Sequence, residues 1–327
     1  MKGKALVSAV CYLALVVAIC VTSASAADKP KDFPNRPITI MVGFGAGGSS
    51  DVGVRILGEA LKKVIGQTVL VENKPGAGGQ VMWTDFKNNA KPDGYTLALI
   101  NVPQLQTTVF DPTRKPAFTM KDFQPVANHV QDPGAIFVRT ESPYKTLEDL
   151  LKDAKARPKQ IKASTTGIGS DDHLSVLDVE RKAGVQFNTV HLVDTPTALR
   201  QVLGGHTDAN FDNVGGFLPA TKSGQGRMLA VFDDKRFPDA PDVPTIREKG
   251  IDLISSSTRG YVYPAGTPME IVKYMEDSIK KAMDDPDHVK RMKESGLALK
   301  FMGVDDFAKF LESQNERAKD LIGLYRK

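Results

Sequence analysis

Cysteine is almost missing from this 327-residue chain: Cys11 and Cys20 are the only two. Both fall inside an apolar run, Ala5 to Val21, which follows Lys2 and Lys4 and precedes Thr22-Ser23-Ala24-Ser25-Ala26. A positive start, an apolar stretch and small residues at Ala24 and Ala26 make the layout of an export signal, with cleavage expected after Ala26. Two alternatives stay open. A run of roughly 17 residues approaches bilayer length and could anchor the chain uncleaved. Cys20 could instead become an acylated first residue, although Ile19 stands where such sites usually have a small side chain. Cleavage after Ala26 removes both cysteines. It thereby excludes disulfides, thiolate metal sites and a cysteine nucleophile from the mature chain. The remaining residues, about 300, are enough to stand on a hydrophobic core alone.

Other scarcities narrow the function. There is one tryptophan, no second long apolar run and no basic block. The net charge of +4 falls to +2 when Lys2 and Lys4 leave, so neither nucleic acid nor a membrane surface is an expected partner. The five histidines are scattered without H-E-x-x-H spacing, so no metal site is expected. No G-x-S-x-G elbow is present, and Ser170, Asp172 and His173 lie too close in sequence to form a catalytic triad. The Gly-Lys-Ser/Thr ending of a phosphate loop is also missing. Catalysis is not expected, and neither is a cofactor.

What is present is a regular alternation of short apolar strands and helices, the α/β pattern. Strands are predicted at 38–42, 68–71 and 96–100. Helices are predicted at 51–64, with Val54, Leu57, Leu61 and Val64 on the apolar face, and at 79–88. A second series follows, with strands at 135–138, 161–164, 189–192, 209–212 and 228–232. Its helices are predicted at 147–156, behind a Thr146 and Asp149 capping pair, at 171–184 and at 196–203. The tail differs, with long helices at 268–283 and 304–325. This length and texture imply two lobes: 27–130 with 258–327, and 131–257. The chain then crosses twice, near 130 and 260, leaving a cleft that can hinge.

Three glycine-rich loops sit at strand ends, where α/β sheets bind ligands. In "MVGFGAGGSSD", Gly43-x-Gly45-x-x-Gly48 has dinucleotide-fingerprint spacing, with Glu72 one βα unit later. The same glycines serve any anion at a helix start, and an exported chain meets little soluble NAD. Phe44, Gly45, Ala46, Gly47, Gly48, Ser49 and Ser50 are therefore candidate ligand contacts, with either serine able to cap the helix. Replacing Gly47 by a bulky residue is expected to abolish binding. "ENKPGAGG" repeats the motif and reads equally as a packing turn. "STTGIGSDDH" supplies Thr165, Thr166, Gly167, Gly169 and Ser170 from the other lobe. Four or five donors to a charged group would leave roughly 8 kcal/mol after ordering costs, or micromolar affinity.

The segments "FPNRPITIMVGFGAGGSSDVGVRIL", "GQTVLVENKPGAGG", "KPDGYTLAL", "STTGIGSDDH", "DVPTIREKG" and "PAGTP" resemble, in order, the signature segments of the Bug (TctC-type) extracytoplasmic solute receptors. The resemblance spans essentially the whole mature chain. It implies a two-lobed Venus-flytrap (periplasmic-binding-protein, type II-like) α/β fold, no catalysis and a periplasmic location. It further implies a carboxylate ligand held by the first loops of both lobes, and transfer to the integral-membrane permease subunits of a tripartite tricarboxylate transporter. A ligand receptor feeding a signalling partner is the alternative, and a working monomer is expected. On this chain the implied loops are 44–50 and 165–170, flanked by Asp212 and Asn213, with Asn101 just past the third strand. The pattern departs at "GFGAGGSSD", where many members are proline-rich, at His191-Leu192-Val193-Asp194-Thr195, and at Thr258-Arg259-Gly260, where a tryptophan is common. These departures leave the ligand's far end open. Arg259 could hold a second carboxylate or form an inter-lobe salt bridge. His173 reads as a structural histidine or a ligand contact, and Phe44 as a cleft wall.

Overall fold

Ile38-Thr39-Ile40-Met41-Val42 has the apolar, β-branched run of a strand covered on both faces, and it lies mid-sheet in the first lobe. The computed structural model describes residues 29–325. The export signal, its cleavage site and Cys20 lie outside the described residues. β1 (Ile38–Val42) is followed by α1 (Ser49–Ile65), β2 (Val69–Asn73), α2 (Gln80–Asn89), β3 (Thr96–Val102) and the short α3 (Gln104–Phe110). β1 pairs in parallel with both β2 and β3. The predicted helix at 51–64 starts two residues earlier and ends at Gly66, whose φ of 72° closes it through an N–H bond to the Lys62 carbonyl. Its buried face runs through Val54, Leu57, Leu61 and Ile65, whereas Val64 is exposed.

The sequence shows least sign of the element that joins the two halves. β4 (Phe123–Arg139) is one 17-residue strand, of which only the last part was expected. Its first part pairs with β9 (Ser256–Pro264), down to the pair Pro133 and Ser256. From Gly134 onward it pairs with strands of the second sheet. That sheet is built from α4 (Leu147–Ala156), β5 (Lys162–Thr165), α5 (Asp171–Ala183), β6 (Asn188–His191), α6 (Thr195–Leu203), β7 (Ala209–Asn213), α7 (Val214–Lys222) and β8 (Gly226–Val231). β5 lies parallel to both β6 and β7. The crossing itself is stitched: the Gly134 amide donates to Ser255 at 2.9 Å and its carbonyl accepts from Phe232 at 2.7 Å. A side chain at Gly134 would meet the Phe232 ring at 2.7 Å, so glycine is needed for the approach.

The chain then returns to the first lobe through β9, α8 (Met269–Met283), α9 (Pro286–Glu294), β10 (Leu299–Met302) and α10 (Val304–Tyr325). Val272, Met275 and Ile279 of α8 pack with Leu57 and Leu61 of α1 on one face of the first sheet. Trp83, Phe86, Phe123 and Phe307 fill the other face. The second sheet is covered likewise, by Val176, Val179 and Phe211 on one side and by Phe137, Phe217 and Leu218 on the other. Each large apolar side chain buried there contributes about 1.5–3 kcal/mol. The result is a two-lobed, doubly covered α/β molecule whose parallel strands direct their carboxyl ends to one cleft.

Candidate functional site

The first jaw is the start of α1. Gly48 occupies the cap position with extended backbone and no side chain with which to cap. Neither Ser49 nor Ser50 caps the helix, because both lie within its first turn and are buried. The first-turn amides of Ser49 and Ser50 are thus left without a side-chain acceptor, which favours an anion at this point. Asn101 fastens β3 to the helix, donating Nδ2 to Ser50 Oγ at 3.0 Å.

Asp51 organises the loop. Its Oδ2 accepts the Gly47 amide at 2.8 Å and Arg55 Nε at 2.9 Å, and its Oδ1 accepts Asn73 Nδ2 at 3.0 Å. Asn73 Nδ2 also reaches the Phe44 carbonyl at 3.0 Å. Burial pushes the Asp51 carboxyl upward, but the bonds from Arg55, Gly47 and Asn73 hold it below its ordinary pKa. Phe44 is half-buried against the lobe core, while Ala46 and Gly47 are exposed. The expectation for Gly47 shifts accordingly. Its φ of 80° suits glycine and its N–H is engaged by Asp51, yet a side chain there would meet nothing within 4 Å.

In "ENKPGAGG" the glycines make room. A Cβ on Gly43 would fall 2.8 Å from the Gly79 backbone, and one on Gly79 would fall 2.8 Å from the Trp83 ring. Close packing of the two loops accounts for both residues.

The second jaw is the loop before α5, and most of its donors are already engaged. Ser170 Oγ caps the helix, accepting the His173 amide at 3.1 Å and donating to the Gly167 carbonyl at 2.8 Å. The Ser170 amide also reaches Gly167, at 3.3 Å. The Thr166 amide donates to Asp172 Oδ2 at 3.2 Å, and its hydroxyl bonds the same oxygen. The Gly169 amide donates to His173 Nδ1 at 3.1 Å. Thr165 Oγ1 pairs with His191 Nδ1 at 2.8 Å. His173 stands edge-on to His191 with ring centres 4.5 Å apart. Burial, with His191 adding to it, lowers the His173 pKa to about 3, so the ring is neutral at physiological pH.

Between the jaws lies Arg259, 3% exposed. Its Nη1 donates to Asp132 at 2.9 Å and its Nη2 to Asn213 Oδ1 at 2.8 Å. Asp132 sits on the crossing part of β4 and Asn213 at the end of β7, so the guanidinium ties both lobes together. Asn213 Nδ2 in turn donates to Asp171 at 2.7 Å. Burial raises Asp132 to about 6 against the pull of Arg259, and raises Asp212 to about 7. It also lifts Asp171, and holds Asp172 well above the ordinary range with Asp171 and Asp212 adding to the effect.

The jaws meet. A Cβ on Gly45 would lie 2.1 Å from Asp194 Oδ2, and one on Gly48 would lie 3.3 Å from Pro196. Thr107 Oγ1 donates to the Gly169 carbonyl at 2.7 Å, and Gln104 Nε2 to the Ile168 carbonyl at 3.3 Å. Sequence reasoning missed Gln104, Thr107 and Asp132, because none of them belongs to a motif, and met Asp194 only inside the departing segment 191–195. Asp172 was visible beside the loop, but only as a member of a rejected triad, and Asp171 only as part of the quoted segment. Among the described residues no group of three His, Cys, Asp or Glu side chains is arranged for a metal.

Residues 54–325 match the model of the tripartite tricarboxylate transporter family receptor. A relative from Cupriavidus necator, named for its place in the gbd 5′ region, is 33% identical over 301 residues, covering 90% of this chain and 88% of its own. MatC from Rhodopseudomonas palustris, solved with bound malate, superposes with a TM-score of 0.80 at 27% identity, covering 89% of this chain and 100% of that one. A second R. palustris protein, solved with adipate, superposes at 0.84 with 25% identity, over 90% and 98% of the two chains. Such proteins are solute receptors, not enzymes. The spacing at Gly43, Gly45 and Gly48 therefore belongs to a receptor loop, and the chain is a member of the tripartite tricarboxylate transporter receptor family.

Proposed function

We propose that this protein captures a small carboxylate between its lobes in the periplasm and presents it to the permease subunits of a tripartite tricarboxylate-type transporter. The observation that carries the reading is the start of α1, where Gly48 leaves the Ser49 and Ser50 amides uncapped at the mouth of the cleft. The malate and adipate named with two structural relatives support the ligand class. Residues 27–130 with 258–327 form one lobe of the receptor and 131–257 the other. The ligand lies among 44–50, Asn101, 165–170, His173, Asp212, Asn213 and Arg259. Contacts to both lobes favour the closed arrangement, so binding is a population shift. Residues 1–26 direct export and are removed by cleavage after Ala26.

A thermal-shift screen of the secreted protein against di- and tricarboxylates, amino acids and aromatic acids, followed by calorimetry, tests the reading. At least one carboxylate should raise the melting temperature and bind in the micromolar range. No stabilisation by any carboxylate would overturn it.

A further inference from the structure

Gly78 of the second glycine-rich loop makes room for a side chain from elsewhere. A Cβ on it, at a φ of 64°, would fall 3.0 Å from Gln104 Nε2. Gln104 opens α3, just past the end of β3 in the first lobe. From that helix two buried side chains reach the second jaw. Thr107 Oγ1 donates to the Gly169 carbonyl at 2.7 Å, and Gln104 Nε2 donates to the Ile168 carbonyl at 3.3 Å. Only the amide nitrogen of Gln104 can face a carbonyl, so the polarity of that bond is fixed.

Each donor also has an acceptor inside α3. Thr107 Oγ1 lies 3.1 Å from the Gln104 carbonyl, the back-bond of a threonine to its own helix, and Gln104 Nε2 lies 3.5 Å from Thr108 Oγ1. The Gln104 carbonyl is served by the Thr108 hydroxyl as well, at 2.7 Å, so it is not orphaned when Thr107 turns away. Both donors thus have partners in two arrangements, their own helix or the opposite lobe. In the second jaw the Gly169 amide turns inward to His173 and the Ser170 amide to Gly167, which leaves the carbonyls of Ile168 and Gly169 facing α3. The Arg259 ties differ. Asp132 and Arg259 lie on the crossing strands and Asn213 pairs with Gly134 beside the crossing, where a hinge moves least. The 165–170 loop follows β5, which β7 separates from β4, and α3 follows β3, which β9 separates from it.

We propose that α3 is a latch for the closed cleft. Closure moves the Thr107 hydroxyl and the Gln104 amide from acceptors in their own helix to the Gly169 and Ile168 carbonyls, and these bonds hold the lobes together around whichever acid lies between them. Opening returns both donors to α3 and gives the two carbonyls to water. Thr107 and Gln104 are therefore positioning residues that act through the second jaw. The inference rests on the carboxylate reading above and adds to it the means by which the lobes stay shut.

Calorimetry and stopped-flow binding with malate, adipate, citrate, glutamate and benzoate test it on wild type, Thr107→Val and Gln104→Leu. Each substitution should raise Kd by about two- to tenfold, the range of one neutral hydrogen bond, and by the same factor for every acid that binds. The loss should lie in faster dissociation, because the latch forms after the acid has entered. Thr107→Ser keeps the hydroxyl and should restore the wild-type Kd, and melting without acid should stay near wild type in all three variants. Unchanged affinity in the folded variants, or a Thr107→Ser no better than Thr107→Val, would overturn the latch and leave the carboxylate reading standing. So would losses that differ from acid to acid, the mark of direct contact with the acid. Failure of wild type to bind any of the five acids would remove the carboxylate reading and the latch with it. Gln104→Leu decides the question where Thr107→Val folds poorly.

Discussion

Gly45→Ala should weaken ligand binding without weakening the fold. Gly45 is not in the left-handed region, so alanine adds no backbone strain. Its Cβ would sit 2.1 Å from Asp194 Oδ2, a contact that exists only while the lobes meet. Relief requires Asp194 to turn away, and its Oδ1 is the cap that accepts the Thr197 amide at 2.9 Å. Losing such a cap costs about 1 kcal/mol, with a range of about 0.5–2. Charged to the closed state alone, that is roughly a fivefold rise in Kd, within limits of about twofold and thirtyfold. Calorimetry on wild type and Gly45→Ala measures the rise, and thermal unfolding without ligand should show no matching loss. A double-mutant cycle isolates the cause. In an Asp194→Ala background the alanine at 45 should cost little. An unchanged Kd, or the same loss in both backgrounds, would refute the clash. Gly47→Ala is the contrasting control: strain of about 1–2 kcal/mol at a positive φ, visible in stability, with affinity retained.

Arg259→Ala removes the cation beside Asp132, whose side chain is fully buried, and should destabilise the fold by about 3–5 kcal/mol in urea unfolding; stability within 1 kcal/mol of wild type, on the order of an exposed pair, would refute the buried-pair assignment. Asp212 and Asp132 bind protons more tightly in the folded chain than in the unfolded chain, where their pKa returns to the ordinary carboxylate range. Their contribution therefore grows as pH falls from about 7 toward 4. Melting temperature should be higher near pH 5.5 than at pH 8, and Asp212→Asn should flatten that difference. Below that window Asp51 and Asp153, both held low by their hydrogen-bonding partners, become protonated and the stability falls again. Mass spectrometry of the exported protein should find a first residue of Ala27, and a lipid-modified Cys20 would contradict that processing.

How much of this was legible in the sequence depends on range. Strand–glycine–helix loops are local: period-2 and period-3.6 patterns and strings of glycine mark them, so β1, α1, β5 and α5 stood close to their expected places. Which glycine matters sterically was not legible. Gly45, Gly47 and Gly48 look alike along the chain, yet only the position of Asp194, 149 residues from Gly45 in the numbering, singles out Gly45. The length of β4 was hidden because its two parts belong to different sheets and its sequence, broken by Pro125 and Pro133, does not read as one strand.

The sequence by itself settled the class. The alternation of elements, the loops at helix starts and the family signature segments are all carried by neighbouring residues, whose physics is short-range. Only the tertiary structure decided which donors of the two loops remain open. Hydrogen bonds and burial are set by partners far apart in sequence, such as Asp132 with Arg259 and Thr107 with Gly169. Those partners left the Ser49 and Ser50 amides without a side-chain cap and engaged Ser170 and Gly169 of the second loop within their own lobe.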